Sequence, residues 1–215
     1  MLDCICFDFD GTLVNSMEVA FDAFVRVGPE FGCKPFTREQ LLDLRGLHVR
    51  EVIRAVGVPL YRVPQLARRM RRMMRAGLMD TPPVEGIGEV LEVLARRGYR
   101  LVVLSSNAEN SVRDYLARHD LNGFERVIGD TGLFSKSKAL RELAHGMRIA
   151  PERLLYVGDE IRDIEAAHRA GVRSAAVGWG YNTLERLADL RPDLRLDRPR
   201  DLLDVLETRT GGERT

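Results

Sequence analysis

Asp8 and Asp10 stand two residues apart at the end of an apolar run, and Gly11 and Thr12 follow them. Two carboxylates this close repel one another, and a cation or a shared proton is the usual relief. A hard divalent cation such as Mg2+ suits oxygen ligands of this kind and would keep Asp8 ionised at neutral pH. An ionised carboxylate can attack a phosphorus centre and form an acyl phosphate. Asp8, the first acid at the strand end, is the candidate nucleophile. In an extended chain the Asp10 side chain points the same way. It can protonate a leaving oxygen and then deprotonate the attacking water. Gly11 permits a sharp turn that presents backbone N–H groups to an anion.

Three later segment boundaries carry complementary groups. Ser105 offers a hydroxyl to a phosphoryl oxygen, and Ser106 and Asn107 add donors near the next helix start. Lys136 would neutralise charge shared by the nucleophile and the phosphoryl group. Lys138 competes for that role, but it falls within the expected helix. Asp159 is the best remaining metal ligand. Asp163, one helical turn on, holds metal-bound water or positions Lys136, and Glu160 is a weaker supporting acid.

The elements that must position these groups are legible from periodicity. Leu2 to Phe9 reads as a buried strand running into the glycine turn. From about residue 84 onward, short apolar runs alternate with amphipathic segments. Strands are expected at Tyr99 to Leu104, Val127-Ile128, Leu154 to Val157 and Ser174 to Val177, with a last one near Leu194 to Leu196. Helices are expected at Gly86 to Arg97, Asn110 to His119, Ser137 to His145, Ile161 to Ala170, Leu184 to Leu190 and Arg200 to Glu207. This rhythm implies an α/β fold, a Rossmann-like parallel sheet with helices on both faces. In such a sheet, strand ends on the same edge converge on one crevice. The polar tail, Thr210 to Thr215, is expected to fray.

Residues 15–83 break the rhythm and read as helices at Asn15 to Val27, Arg38 to Leu44, Arg50 to Val56 and Val63 to Ala76. The expected organisation is therefore a core of residues 1–14 and 84–215 with a helical cap inserted at 15–83, above the carboxyl edge. The insert holds 12 Arg and Lys against 7 Asp and Glu, a net of +5, and the remainder is −4. A basic lid over an acidic, cation-binding core suits a small anionic substrate. Within it, Arg45, His48 and Arg50 flank Gly46 and are candidates to meet a carboxylate or hydroxyl of that substrate. Arg68 to Arg75 is the densest positive run. It reads first as a solvated helix face with its methionines turned inward.

Whole-chain composition narrows the classes. With 215 residues, 45% hydrophobic and 30% charged, the chain is an ordinary globular one with a sizeable core. A net charge of +1 gives no reason to expect nucleic acid as a partner. No apolar run reaches membrane-spanning length, and the N-terminus lacks the pattern of a secretion signal. Cys4, Cys6 and Cys33 read as buried thiols in a reducing compartment, so a cytoplasmic location is expected; a monomer and a homodimer are both left open.

Taken together, the segments resemble the haloacid dehalogenase-like hydrolase superfamily. Asp8-Phe9-Asp10-Gly11-Thr12-Leu13-Val14 matches its first motif and Leu104-Ser105-Ser106-Asn107 looks like the second. Lys136 fits the third, and Tyr156 to Asp163 looks like the fourth. The resemblance implies a Mg2+ cofactor, an aspartyl-phosphate intermediate on Asp8, acid/base work by Asp10, and a metal held by Asp8, Asp10 and Asp159. The insertion is similar to the family's small helical cap. Trp179-Gly180-Tyr181-Asn182 looks like the phosphoglycolate phosphatase group, which implies a phosphatase for a small phosphomonoester, 2-phosphoglycolate among the options. Asn15 departs from the aspartate common at that position. Asp10 disfavours the dehalogenases. A phosphonatase would need a cap lysine, and Lys34 is the one lysine there. A sugar-phosphate mutase of the beta-phosphoglucomutase type, using the same core, and a non-catalytic phosphate-binding module are the alternatives.

Overall fold

The structure, a computed structural model, describes residues 2–132 and 135–210. Six parallel strands form one sheet in the order β3-β2-β1-β4-β5-β6. They are β1 (Cys4–Phe7), β2 (Arg100–Leu104), β3 (Phe124–Ile128), β4 (Leu154–Gly158), β5 (Arg173–Val177) and β6 (Leu194–Leu196). β1 lies between β2 and β4, and all four of its residues are buried. Ile5 and Phe7 face one apolar layer and Cys4 and Cys6 the other. A central parallel strand is covered on both faces, which is why its sequence reads as an unbroken apolar run. Each fully buried Ile or Phe side chain contributes about 1.5–3 kcal/mol. The three cysteines are free, buried thiols.

Helices α5 (Ile87–Arg96), α6 (Glu109–Arg118), α7 (Lys136–Met147), α8 (Ile161–Ala170), α9 (Leu184–Ala188) and α10 (Asp201–Thr210) accompany the strands. α7 and α8 seal the Cys4 and Cys6 face, while α5, α6 and α10 supply the opposite layer. Chain order runs outward from β1 to β3 on one side and from β4 to β6 on the other. The switch point lies between the carboxyl ends of β1 and β4, where open α/β sheets bind ligands. Asp8 and Asp159 follow those two ends directly.

Between β1 and β2 the chain forms α1 (Met17–Val27), α2 (Arg38–Asp43), α3 (Val49–Val56) and α4 (Val63–Leu78). These helices build an apolar cluster of their own around Val27, Ile53, Val56, Val58 and Leu66. The chain enters and leaves this segment at one place. Val14 bridges both Asp10 and Pro83, and the Val84 N–H donates to the Leu13 carbonyl at 3.0 Å. On α4, Met74 is buried and Met70 and Met73 are half-buried, while Arg68, Arg72 and Arg75 are exposed. The basic run is thus a solvated face with inward methionines.

Element bounds differ from the sequence expectation at three informative places. β3 begins at Phe124 rather than Val127. Its charged residues obscure the strand pattern because β3 is an edge, and exposed Glu125 takes a two-point ion pair from Arg100 with both contacts at 2.6 Å. α7 begins at Lys136 itself, so the lysine is the first helical residue rather than the one before. α9 stops at Ala188, two residues short of Leu190. The tail from 211 onward lies outside the described residues. Among the described residues, no helix is long and apolar enough to cross a membrane.

Candidate active site

Asp8 extends the ladder by one residue past β1, its N–H donating to the Val157 carbonyl at 2.8 Å. This fixes the backbone and sends the carboxylate over the edge of the sheet, where it is 3% exposed. Lys136, on the first turn of α7, places Nζ 2.8 Å from Asp8 Oδ2 and 2.6 Å from Asp163 Oδ1. Its ammonium also lies over the Tyr156 ring, 5.6 Å from the centroid. Asp163 does a second job: its Oδ2 accepts the Glu160 N–H at 3.0 Å, closing the first turn of α8. One lysine is therefore clamped between the acid after β1 and the acid one turn into α8.

The end of β2 faces Asp10. Ser105 is fully buried, and its Oγ accepts the Asn107 N–H at 3.0 Å. Asn107 Nδ2 donates to Asp10 Oδ2 at 2.7 Å. The other oxygen, Asp10 Oδ1, is buried with no hydrogen-bond partner among the described residues. Ser106 is half-buried beside them. Burial pushes the Asp10 carboxyl above its ordinary range, which favours the protonated form a general acid requires. Burial also dominates at Asp8. It outweighs the pull of Lys136 and lifts the pKa from 3.8 to about 7. Burial works to lower the Lys136 pKa, but Asp163 and Asp8 overcome it and hold the ammonium charged.

Asp159, the expected third metal ligand, is fully buried and already hydrogen-bonded. Its Oδ1 accepts the Thr12 hydroxyl at 2.9 Å and its Oδ2 accepts the Tyr181 N–H at 2.7 Å. The carboxylate oxygens that gather within 4.8 Å of one another belong to Asp8, Glu160 and Asp163. Hydrogen bonds do not exhaust Asp159, because each carboxylate oxygen keeps a further lone pair. Hard oxygen donors at this density, together with the orphaned Asp10 Oδ1, fit a Mg2+ ion.

Glycines make the room. Gly11 has φ +73°, and a Cβ there would lie 2.2 Å from Asp159 Oδ2. A Cβ on Gly180 would come 2.2 Å from Asp159 Cβ. Gly180→Ala is therefore expected to cost about 1–3 kcal/mol of stability by overpacking and to disturb the Asp159 carboxylate. Gly146→Ala is the control, since its Cβ would meet only Arg126 Nη1 at 3.6 Å. Thermal unfolding of both variants checks this: equal midpoints would remove the steric argument.

The inserted helices close over the edge through the loop after β5. Arg45 donates from Nε to the Tyr181 carbonyl at 3.2 Å and from Nη2 to the Gly180 carbonyl at 2.7 Å. Asn182 answers by donating to the Arg45 and Leu47 carbonyls, and its Oδ1 accepts the Ile161 N–H at 2.9 Å. Arg45 thus ties the insertion to the loop after β5 and also lines a cavity between insertion and core. His48 caps α3 through Nδ1, and its Nε2 approaches Glu165 at 3.5 Å. Arg50 lines a cleft that also includes Lys136. A separate cavity of about 250 Å³ lies between insertion and core, with Phe21, Phe24, Leu44 and Val52 on one side and Glu160 and Tyr181 on the other.

The parts played by Thr12, Tyr156, Gly180, Tyr181 and Asn182 are not evident in the sequence. The Trp179-Gly180-Tyr181-Asn182 segment after β5 was the available signal for the last three. Arg162 is not evident either, because a charged residue in a helix pattern reads as solvated.

Known proteins resemble this chain in sequence and in fold. The haloacid dehalogenase-like hydrolase family model matches residues 5–177. The chain belongs to the haloacid dehalogenase-like hydrolases. It is 33% identical over 206 residues to the phosphoglycolate phosphatase of Synechococcus elongatus, covering 95% of this chain and 97% of that one. It is 26% identical over 212 residues to the pyrophosphatase PpaX of Anoxybacillus flavithermus, covering 95% and 97%. Among solved structures, a haloacid dehalogenase-like family hydrolase from Streptococcus pneumoniae superposes with a TM-score of 0.80 at 22% identity, covering 95% and 98%. That structural likeness extends the family's fold over nearly the whole chain.

Proposed function

We propose that this hydrolase is a Mg2+-dependent phosphatase that cleaves a small phosphomonoester, 2-phosphoglycolate being the leading candidate, through an aspartyl phosphate on Asp8. The observation that carries the reading is the Asp8–Lys136–Asp163 clamp at the topological switch point. Asp8 attacks phosphorus and the ester oxygen leaves. Asp10 gives that oxygen its proton, then takes one from the water that attacks the acyl phosphate. Ser105, Ser106 and Asn107, with the backbone at Gly11, cradle the phosphoryl oxygens, and Lys136 balances their charge. Mg2+ would be held by Asp8, Asp10 and Asp159 and would supply charge neutralisation between nucleophile and dianion. Residues 15–83 act as the cap, with His48 and Arg50 nearer the substrate than Arg45. The named relatives support the phosphatase chemistry, while their two different substrates leave the choice of substrate to experiment.

Phosphate release by the purified protein, with Mg2+ and then with excess EDTA, tests this on 2-phosphoglycolate, pyrophosphate, sugar phosphates, nucleotides and a chromogenic ester. The expected result is release that falls to background in EDTA and returns with Mg2+. Undiminished release in EDTA would reject the metal assignment. Transfer of phosphate between sugar positions without net release would reject hydrolysis.

A further inference from the structure

A cleft of about 680 Å³ runs between α3 of the insertion and α8 and α9 of the core. Six cations line it: Arg50 and Arg54 from the insertion, and Lys136, Arg162, Arg169 and Arg186 from the core. Like charges brought face to face across a closing lid repel unless an anion lies between them. Some are already balanced. Arg169 reaches Glu165 at 3.4 Å, Arg186 reaches Asp189 at 3.0 Å, and Lys136 has its two carboxylates.

Arg162 and Arg54 are not fully balanced. Arg162 is 13% exposed in its side chain, and its Nη2 donates to Glu160 Oε1. Its Nε and Nη1 are buried with no hydrogen-bond partner among the described residues. Orphaned buried donors on a charged group are costly, so a native site that keeps them is suited to an acceptor arriving from outside. Across the cleft, exposed Arg54 makes no ion pair among the described residues. Lys136 lines this cleft as a residue, and its ammonium lies 2.8 Å from Asp8.

We propose that this cleft is a second oxyanion subsite, in which Arg162 from the core and Arg54 from the cap bind the non-reacting anionic end of the substrate. The substrate class is then a small phosphate compound with two anionic ends, the second a carboxylate or another phosphate. The planar guanidinium fork suits either group. The inference rests on the phosphatase reading and deepens it.

Binding without turnover tests the subsite separately from the reaction. Titration calorimetry in Mg2+ with methylphosphonate, phosphonoacetate and methylenediphosphonate compares one anionic end with two. The wild type is expected to bind at least one two-ended probe about 10- to 100-fold more tightly than methylphosphonate. Whichever is tighter identifies the second group as carboxylate or phosphate. Arg162→Gln should remove most of that preference, Arg162→Lys should restore part of it, and Arg54→Gln, at an exposed site with little folding risk, should reduce it. Equal wild-type affinity for all three probes would overturn the proposal. So would an Arg162→Gln variant that weakens all three equally, or an Arg54→Gln variant that keeps the full preference. Absence of phosphate release from every ester would reject the phosphatase reading while leaving the binding preference measurable.

Discussion

Asp8→Asn is expected to lower kcat by roughly 10⁴-fold or more, the scale seen when a covalent nucleophile is removed. The amide matches the carboxylate in shape but cannot form the acyl phosphate. The fold should survive, because Lys136 keeps its 2.6 Å contact with Asp163. A melting midpoint within about 2–4 °C of wild type corresponds to about 1 kcal/mol in a chain of this size. The pH dependence of stability gives a second readout in metal-free protein. Burial raises the Asp8 pKa from 3.8 to about 7. Between those values the folded state binds the proton that the unfolded state has released, so stability declines with rising pH. The Asp8 contribution is complete below about 4 and lost as pH passes about 7. The asparagine variant lacks this decline. Its melting midpoint should therefore gain on the wild type from pH 5 toward pH 8. Near-normal turnover in saturating Mg2+ would end the nucleophile assignment.

Lys136→Met is expected to damage both fold and activity. The lysine is 2% exposed and holds two buried acids. Removing one partner of a buried ionic cluster leaves the other charges uncompensated, at about 3–5 kcal/mol. That corresponds to a fall of roughly 10 °C in melting midpoint. Part of the penalty is relieved as the acids take up protons, and a protonated Asp8 is a poor nucleophile. kcat should therefore drop by about 10³-fold or more. Pairing the change with Asp163→Asn separates the two effects. The double variant should recover stability, because one stranded charge is gone, while activity stays low. Recovery of activity with stability would show that the lysine acts only through packing. Loss of neither would remove it from the site.

The parallel sheet and the acids at its strand ends are written in local sequence pattern. β1 and β4 are central and covered on both faces, so burial alone dictates their apolar runs, and acids at their ends stand out against that background. Asp8, Asp10 and Asp159 stood out as candidates for this reason, while Ser105 and Lys136 stood out as polar groups at the end of β2 and the start of α7. The helical insertion was legible because its repeat is helical, without the short apolar strands of the core. The edge strand β3 was only half legible, since an edge tolerates charge and Glu125 and Arg126 mask the pattern.

Which partner each group meets is set by how distant segments pack. Arg45 and Arg50 are similar as letters, yet Arg45 is held by the Gly180 and Tyr181 carbonyls while Arg50 lines the basic cleft. Asp159 and Asp163 sit one helical turn apart, yet one is enclosed by Thr12 and Tyr181 and the other clamps Lys136. Arg162 looks like a surface charge in sequence and is largely buried in the fold, paired with Glu160. The physical reason is common to all of these. Hydrophobic patterning is local and periodic, so a chain announces where it folds. Hydrogen bonds and charge pairs are short-ranged and directional, and partners such as Thr12 and Asp159 or Arg45 and Tyr181 lie more than a hundred residues apart in the chain until folding brings them together.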